Sequence, residues 1–222
     1  FPISASNGEV STGTADWEAK DTVKAGTRGS MLTWNGSVGA TFDWGSLTTA
    51  QKTALNNDTN VVTWIKGTDV VGFRERKNGI IGDIINSDPA FVGALNFGYM
   101  NLPDTCTSSD GGITYDNPNG CSGGKLYGKF VEDNKNRAGM IYFGANDGQL
   151  HGLDADTGAE KVSFIPAGVY NVNGENKLYN LSQPDYSHRY FVDGSPFVGD
   201  AYISNSWKTV LVSGLGIGGK RV

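Results

Sequence analysis

After Ile80, apolar residues fall mostly in short segments that glycine, asparagine, aspartate and proline separate. This pattern is typical of short β-strands joined by tight turns, because those four residue types favour turn conformations. The segment MIYFGANDGQLHGLDADTG, residues 140–158, is the clearest case, since two apolar strands flank an Asn-Asp-Gly sequence and a second turn sequence follows. The chain after Ile80 is therefore predicted to form short antiparallel strands.

Two tight turns are predicted inside residues 140–158. Asn and Asp tolerate the positive φ that a hairpin turn requires, and Gly adopts it without steric cost. The strands around these turns are predicted to bury Ile141, Phe143 and Leu150. The predicted turn residues are Asn146, Asp147, Gly148, Asp154, Asp156 and Gly158.

Residues 47–66 have the periodicity of a helix. Thr48 and Gln51 have the spacing of a capping box, in which each side chain hydrogen-bonds to the backbone of the other residue. The apolar residues that follow recur at helical spacing, and an Asn-Asn-Asp sequence interrupts them. The segment is predicted to form two short helices, the only convincing helical stretch of the chain, with Trp64 and Ile65 in the core.

The rest of the chain suggests a simple division. Residues 1–45 are rich in Gly, Ser and Thr, and are predicted to be irregular or β structure with a strand near Met31–Trp34. Residues 46–222 are predicted to form one β domain. Residues 95–137 are predicted to be a long polar insertion in that domain.

An imperfect internal repeat lies within the β region. The sequence SDPAFVGA, residues 87–94, recurs as GSPFVGDAYI, residues 194–203, with Pro89 and Pro196 in the predicted turns. Each copy is followed by a β-branched and aromatic strand that ends in a glycine-rich turn. A repeated all-β unit cannot bury its own face and is expected to stack on its neighbours. A four-stranded propeller blade fits this unit best.

Composition and charge exclude some functions. The chain has 222 residues with a net charge of −5, so it lacks the basic surface of a nucleic-acid-binding protein. Its basic run, Arg74–Lys77, is interrupted by a glutamate and is predicted to be an ordinary solvated turn. The sequence contains no run of 18 apolar residues, and its first residues do not have the pattern of a signal peptide.

Cys106 and Cys121 bracket a loop rich in Gly, Ser, Asp, Asn and Pro. Nothing apolar holds this loop in place, so we predict a disulfide between them, which would stabilise the fold by roughly 3 kcal/mol and implies an oxidising compartment. Two free thiols in a cytosolic protein are the alternative. A zinc site would need two more ligands, and the two histidines, His151 and His188, lie far along the chain.

Candidate catalytic residues have simpler structural explanations. His151 lies in a predicted strand between apolar residues, which favours a buried histidine with satisfied hydrogen bonds. His188, Asp193 and Ser195 are close in sequence, but the Gly-x-Ser-x-Gly pattern of a nucleophile elbow is absent, so a polar corner of a blade is predicted. The glycine-rich sequence at residues 214–219 does not have the spacing of a dinucleotide-binding loop.

The acidic sequences also fall short of a metal site. The segment from Asp154 to Gly158 begins like a calcium loop but departs from the pattern at its fifth position and lacks the bidentate glutamate. The segment at residues 116–119 departs from the pattern at its third position. Both are predicted to be turns whose side chains satisfy their own backbone.

Several segments resemble the PilC/PilY family of type IV pilus tip-associated proteins. The resemblance covers residues 47–220, and the segments at 81–89 and 188–199 are the most specific. The similar segments are LTTAQKTALNNDTNVVTWIKG, RERKNGIIGDIINSDPAFVG, IYFGANDGQLHGLDADTGAE, FIPAGVY, HRYFVDGSPFVGDAYI and WKTVLVSGLGIGGK. The resemblance implies a mainly β fold, a partial β-propeller of quinoprotein-like blades with long insertions and the short helical segment. The family's propeller continues beyond the sequence that matches residues 214–220, so this one is expected to be incomplete.

The resemblance also implies a function. A family member supports pilus biogenesis, opposes retraction and contributes to twitching motility and surface adhesion, without being an enzyme. The expected partners are minor pilins or the pilus tip complex, a host or abiotic surface, and the remaining blades or a completing chain, but no nucleic acid. The expected location is the cell surface at the pilus tip, reached through the periplasm.

No cofactor is expected in this segment, and the family's calcium loop is expected in the missing part of the propeller. The resemblance to quinoprotein blades leaves a fragment of a quinoprotein dehydrogenase as an alternative. We expect no pyrroloquinoline quinone to bind, because a quinone site needs a complete ring of blades. A propeller scaffold for outer-membrane assembly is a third interpretation.

Overall fold

The computed structural model describes residues 15–99, 105–107, 113–115, 127–171, 174–204 and 206–219. The chain divides into two compact units. The first comprises Phe1–Phe91, Met140–Pro196 and Ser213–Val222, and the second comprises Val92–Gly139 and Phe197–Val212. The boundary predicted between residues 45 and 46 does not separate these units, because strands on both sides of it belong to one sheet of the first unit.

The fold is mainly β, as the alternating pattern predicts. The strands are β1 Ser30–Trp34, β2 Gly39–Thr41, β3 Ala90–Val92, β4 Thr105–Thr107, β5 Ile113–Tyr115, β6 Met140–Gly144, β7 Leu150–Asp154, β8 Glu160–Ile165, β9 Phe197–Ile203 and β10 Ser206–Val212. β1 confirms the strand expected near Met31–Trp34. The pairs β6–β7, β7–β8, β9–β10 and β4–β5 are antiparallel, which confirms the predicted strand direction.

The sheet of the first unit has the order β2-β1-β8-β7-β6-β3. β1 pairs with β8 in parallel, a long-range pairing that the sequence pattern does not predict. The hydroxyl of Thr33, in β1, donates to the carbonyl of Ile165 at 2.8 Å and lies 3.0 Å from the hydroxyl of Tyr170. The N-terminal region is thus joined to the sheet by backbone and side-chain hydrogen bonds.

The predicted helical segment forms two helices, α2 Thr49–Ala54 and α3 Thr59–Ile65. The capping box is present: Thr48 Oγ1 accepts from the Gln51 backbone at 3.2 Å, and Gln51 Oε1 accepts from the Thr48 backbone at 2.9 Å. Trp64 and Ile65 are buried, as predicted. They belong to the core of the first unit with Met31, Phe42, Leu47, Ala54, Leu55, Val61, Val62, Ile165, Val169, Tyr170, Leu178, Leu181, Phe191, Val192 and Leu215.

The expectation of a single helical stretch is wrong, because the described residues contain further helices at Ala19–Thr22 (α1), Tyr127–Asp133 (α4) and Lys177–Leu181 (α5). These helices have only 4 to 7 residues, too few to show a helical period in the sequence. Tertiary contacts hold α5, for example the hydrogen bond from Lys177 Nζ to the Gly218 carbonyl at 2.7 Å.

The two copies of the internal repeat meet at their turns. The side chain of Asn86 donates to Asp193 Oδ2 at 2.7 Å, and its backbone N–H donates to Asp193 Oδ1 at 3.2 Å. The Asp88 backbone donates to Ser195 Oγ at 2.9 Å. Each of these pairs joins residues 107 positions apart, which is the offset of the repeat. Residues at equivalent positions of the two copies therefore bind each other.

The segment Ile80–Asn86 was included in the β region of the sequence but is not a strand. It lies against the β6–β7 turn instead: the Asn146 backbone donates to the Asp83 carbonyl at 3.0 Å, and the Gly82 backbone donates to Asp147 Oδ2 at 3.0 Å. Because the turn takes up these backbone groups, fewer of them remain for strand pairing.

The second unit contains α4, which lies inside the polar insertion predicted at residues 95–137, and the β9–β10 hairpin, which lies outside that insertion. The Tyr127 hydroxyl, on α4, donates to Asp200 Oδ2 at 2.6 Å, and Thr209 donates to Asp200 Oδ1 at 2.8 Å. The Trp207 ring lies 4.7 Å from the Tyr127 ring and 5.7 Å from the Tyr99 ring. Aromatic packing around one buried carboxylate thus organises the described part of this unit.

The β6–β7 turn gives the first prediction. Gly148 has a φ of 88°, and a Cβ at this position would lie 2.9 Å from Leu178 Cδ1. Gly148→Val should therefore lose about 1–2 kcal/mol of unfolding free energy to backbone strain and about 1–3 kcal/mol more to overpacking. Urea denaturation measures the loss.

Gly26→Val is the matched control for this substitution. Gly26 has a φ of 82°, but nothing lies within 4 Å of a Cβ built there. Gly26→Val should therefore lose only the part of the unfolding free energy that backbone strain removes. Equal losses for the two variants would mean that the packing beneath the β6–β7 turn contributes nothing.

Candidate functional site

Four buried charged residues form a continuous series of contacts, the buried ion chain, Arg28–Glu160–His151–Asp147. The Arg28 guanidinium binds both oxygens of Glu160, through Nε to Oε2 and through Nη2 to Oε1 at 3.0 Å. Glu160 Oε1 is also 2.8 Å from His151 Nδ1. His151 Nε2 lies 3.0 Å from Asp147 Oδ2. Two positive and two negative groups therefore alternate and balance when His151 is protonated.

The sheet places the buried ion chain in the interior of the first unit. His151 lies in β7 between Phe143 on β6 and Ser163 on β8, and its ring stacks on the Phe143 ring at 5.2 Å. Glu160 begins β8, and both its side chain and that of His151 are 0% exposed. The Arg28 side chain, which precedes β1, is 6% exposed. The parallel β1–β8 pairing brings this arginine to the carboxylate.

The environment shifts the pKa of both central groups. Burial by itself lowers the pKa of His151, but the charges and hydrogen bonds of Asp147 and Glu160 outweigh burial and raise this pKa to about 9. Burial raises the pKa of Glu160, but hydrogen bonds from His151 and Arg28 outweigh it and lower this pKa to about 2. His151 and Glu160 are therefore both charged at neutral pH.

The geometry makes His151 a structural residue with satisfied hydrogen bonds, as predicted. Both of its ring nitrogens face carboxylates inside the protein. Asp147, predicted only as a turn residue, accepts further hydrogen bonds from the backbone of Gly82 and of Gln149. Two sequence features indicate the buried ion chain: a histidine inside an apolar strand, and a glutamate at the start of the next strand. No local signal pointed to Arg28.

A cleft of about 220 Å³ adjoins the buried ion chain. Asp147 belongs to both. The cleft is lined by Trp64, Ile65, Arg74, Glu75, Arg76, Lys77, Asn78, Gly79, Ile80, Ile81, Gly82, Asp83, Asn146, Asp147, Gln149, Leu181 and Tyr186. The prediction that Arg74–Lys77 is an ordinary solvated turn is wrong, because the Arg76 side chain is only 6% exposed and its guanidinium lies 4.4 Å from the Trp64 ring.

The second predicted turn is closed by its own side chain. Asp154 Oδ1 accepts hydrogen bonds from the backbone of Asp156 at 3.2 Å and of Thr157 at 3.0 Å. Gly158 has a φ of 68°. The Trp17 indole donates to the Ala155 carbonyl at 3.1 Å, so a residue that the sequence did not single out caps this turn.

His188, Asp193 and Ser195, the catalytic candidates that are close in sequence, have separate hydrogen-bond partners. His188 Nε2 lies 2.9 Å from Asp83 Oδ2, whereas Asp193 binds Asn86 and Ser195 binds the Asp88 backbone. Pro89 and Pro196 each follow one of the two repeat turns that meet in the first unit. The structure therefore distributes these side chains over turn contacts.

The glycine-rich sequence of residues 214–219 packs closely against the Phe191–Gly194 segment. The Asp193 backbone donates to the Leu215 carbonyl at 3.2 Å. A Cβ at Gly218 would collide with the Phe191 carbonyl. Close backbone approach thus explains the glycine at this position.

The structure describes only part of the other predicted sites. The Cys106–Cys121 disulfide and the segment at residues 116–119 lie outside the described residues, apart from the backbone of Cys106 in β4. In the part of the chain that is described, no three Asp, Glu, His or Cys side chains are grouped to hold a metal ion. No helix among the described residues has the length and hydrophobicity to cross a bilayer.

Comparison with known proteins identifies relatives. Residues 81–222 match the family model of the PilY1 β-propeller domain, which confirms the predicted partial propeller and the resemblance to PilC/PilY proteins. The chain is 37% identical over 228 residues to type IV pilus biogenesis factor PilY1 of Pseudomonas aeruginosa, covering 92% of this chain and 18% of that protein. It is 37% identical over 153 residues to a PilY1 homolog of Xylella fastidiosa, covering 68% of this chain and 11% of that protein. No solved structure matches the chain.

The buried ion chain predicts a distinct dependence of stability on pH. The His151 pKa rises from 6.5 to about 9 on folding, so its contribution is fully present below pH 6.5 and is lost as the pH rises through 9. The Glu160 pKa falls from 4.5 to about 2, so its contribution is present above pH 4.5 and is lost as the pH falls through 2. Urea denaturation should show about 3 kcal/mol of His151-linked loss between pH 6.5 and 9. The same slope in His151→Gln would contradict the assignment.

Glu160→Gln tests the contribution of the buried ion chain to stability at constant pH. Loss of the carboxylate leaves Arg28 and His151 buried with one anion fewer, and should lower the unfolding free energy by about 3–5 kcal/mol at pH 7. Glu132→Gln is the matched control, because Glu132 forms an ion pair with Lys135 but is 67% exposed. The control should change stability by under about 0.5 kcal/mol. Similarly small losses of unfolding free energy in both variants would show that the buried ion chain does not stabilise the fold.

Proposed function

Because the chain belongs to the PilY1 β-propeller family, we propose that it contributes to the biogenesis of type IV pili. The observation that carries this proposal is the family match over residues 81–222. The curated relatives named type IV pilus biogenesis factor support it. The chain spans less than a fifth of the length of its Pseudomonas relative, so it would act as one part of a larger pilus protein.

The part proposed for this chain is a non-catalytic scaffold. The polar side chains that the sequence singled out as catalytic candidates hydrogen-bond to residues of turns and strands: His151 to Asp147 and Glu160, and Asp193 to Asn86. Side chains occupied in this way support turns and sheet contacts. On this proposal, the chain binds no cofactor of its own, including pyrroloquinoline quinone.

The scaffold would present loops at the pilus tip. The loop between Cys106 and Cys121 is the proposed display segment, stapled by a disulfide formed during export through the periplasm. Its partners would be minor pilins or other components of the tip complex, and a host or abiotic surface. In this position the protein would oppose pilus retraction and contribute to twitching motility and adhesion.

The function can be tested in the bacterium that carries the parent protein. Deleting residues 81–222 from the parent protein should reduce the number of surface pili and abolish twitching, because the proposed scaffold is lost. Shortening the Cys106–Cys121 loop should leave piliation intact and reduce surface attachment. Electron microscopy of sheared pili, twitching zones and adhesion counts provide the three measurements.

Two controls make the outcome decisive. Glu132→Gln in the parent protein should behave as the unmodified protein, because this exposed residue contributes little to stability, and it separates a specific loss from a general effect of substitution. Affinity purification of the tagged parent should recover pilins. Normal pili after the deletion, with the truncated protein still exported, would refute the pilus role. Recovery of outer-membrane assembly proteins without pilins would favour the scaffold alternative.

A further inference from the structure

The cleft beside the buried ion chain contains hydrogen-bond donors that have no partner. Arg74 is fixed by its backbone N–H to the Ser182 carbonyl and by its Nε to the Leu181 carbonyl, both at 2.9 Å. Its two terminal nitrogens have no hydrogen-bond partner among the residues that the structure describes. The guanidinium is held near the Tyr186 ring at 4.5 Å and the Trp64 ring at 5.2 Å. An anchored arginine therefore lines the cleft with its terminal donors unused.

Two further side chains of the same cleft each carry a donor without a hydrogen-bond partner. The Nε of Arg76 is buried and has no hydrogen-bond partner, although this side chain is only 6% exposed. Gln149 is 1% exposed, and its oxygen accepts from Arg28 at 2.8 Å. The Gln149 Nε2 group has no hydrogen-bond partner in the described part of the chain. The unpaired donors of Arg74 and Gln149 line one cleft, and such donors point to a ligand that accepts hydrogen bonds.

Two acidic groups of the cleft already have hydrogen-bond partners. Asp147 accepts from His151, from Gly82 and from Gln149. Asp83 Oδ2 accepts from Asn146 at 3.1 Å and contacts His188 at 2.9 Å. Glu75 is exposed to water. The cleft thus offers unused donors, while Asp147 and Oδ2 of Asp83 already have hydrogen-bond partners.

We propose that this cleft binds a carboxylate group, with Arg74 as its principal ligand and Gln149 as an additional donor. A planar carboxylate matches the two parallel N–H groups of an arginine fork. A phosphate dianion fits less well, because Asp83 and Asp147 in the same cleft would repel a second negative charge. The carboxylate can come from a small organic acid or from an acidic side chain of a peptide.

Nuclear magnetic resonance titration of the 222-residue chain tests the proposal directly. The probes are acetate, acetamide, inorganic phosphate and a capped glutamate peptide with its glutamine counterpart, all at constant ionic strength. Acetate and the glutamate peptide should shift the signals of the Trp64 indole, the Arg74 side chain and the Gln149 amide in a saturable way. Acetamide and the glutamine peptide should not, because they carry no charge.

The two sources of carboxylate give different affinities. A peptide site should bind the glutamate peptide about tenfold or more tighter than acetate, because contacts beyond the carboxylate add binding energy. Equal affinities would assign the cleft to small organic acids. In either case the carboxylate itself is the recognised group.

Arg74→Lys tests the fork, since it keeps the charge but removes the paired N–H groups. Carboxylate affinity should fall by about tenfold or more in this variant. Arg189→Lys is the control, because Arg189 is 51% exposed, pairs with Glu175 and does not line the cleft. Arg189→Lys should bind the carboxylate probes with the affinity of the unmodified chain.

Three results would overturn the proposal: no saturable shift with either carboxylate probe, phosphate binding as tight as acetate, or full affinity in Arg74→Lys. If Arg74→Lys does not fold, the comparison of acetate with acetamide in the unmodified chain still decides the question. Equal binding of those two probes would exclude recognition of the carboxylate charge.

Discussion

The described part of the first unit depends on the burial of four charges in one neutral series. Arg28, Glu160, His151 and Asp147 come from the segment before β1, the start of β8, the middle of β7 and the β6–β7 turn. Removing charged groups from water is expensive, and only close pairing of opposite charges compensates for it. Each of these elements must therefore keep its position for the others to remain satisfied.

This dependence explains why the local structure is arranged around the β6–β7 turn. Asp147 faces His151 on one side and receives the Gly82 backbone on the other, so the irregular segment at residues 80–86 is tied to the same carboxylate. The cleft begins where these contacts end. Within the cleft, Arg74 is oriented by the carbonyls of Leu181 and Ser182.

The repeat turns add a second constraint of a different kind. Asn86 and Asp193 occupy equivalent positions in two copies of one motif and bind each other across the first unit. Because each copy supplies the partner of the other, neither turn is complete alone. This pairing joins the two repeat turns within the first unit.

The sequence alone determined features that short-range interactions control. The Thr48–Gln51 capping box joins residues three apart, and the strands on either side of residues 146–148 follow from local alternation and turn propensity. Only the tertiary structure decided which distant residues meet. Arg28 reaches Glu160 across 132 positions through a parallel strand pairing that no local pattern encodes, and the aromatic rings of Trp64 and Tyr186 cover Arg74, which a local pattern had placed in water. Burial depends on what folds against a residue, and this information is distributed over the whole chain.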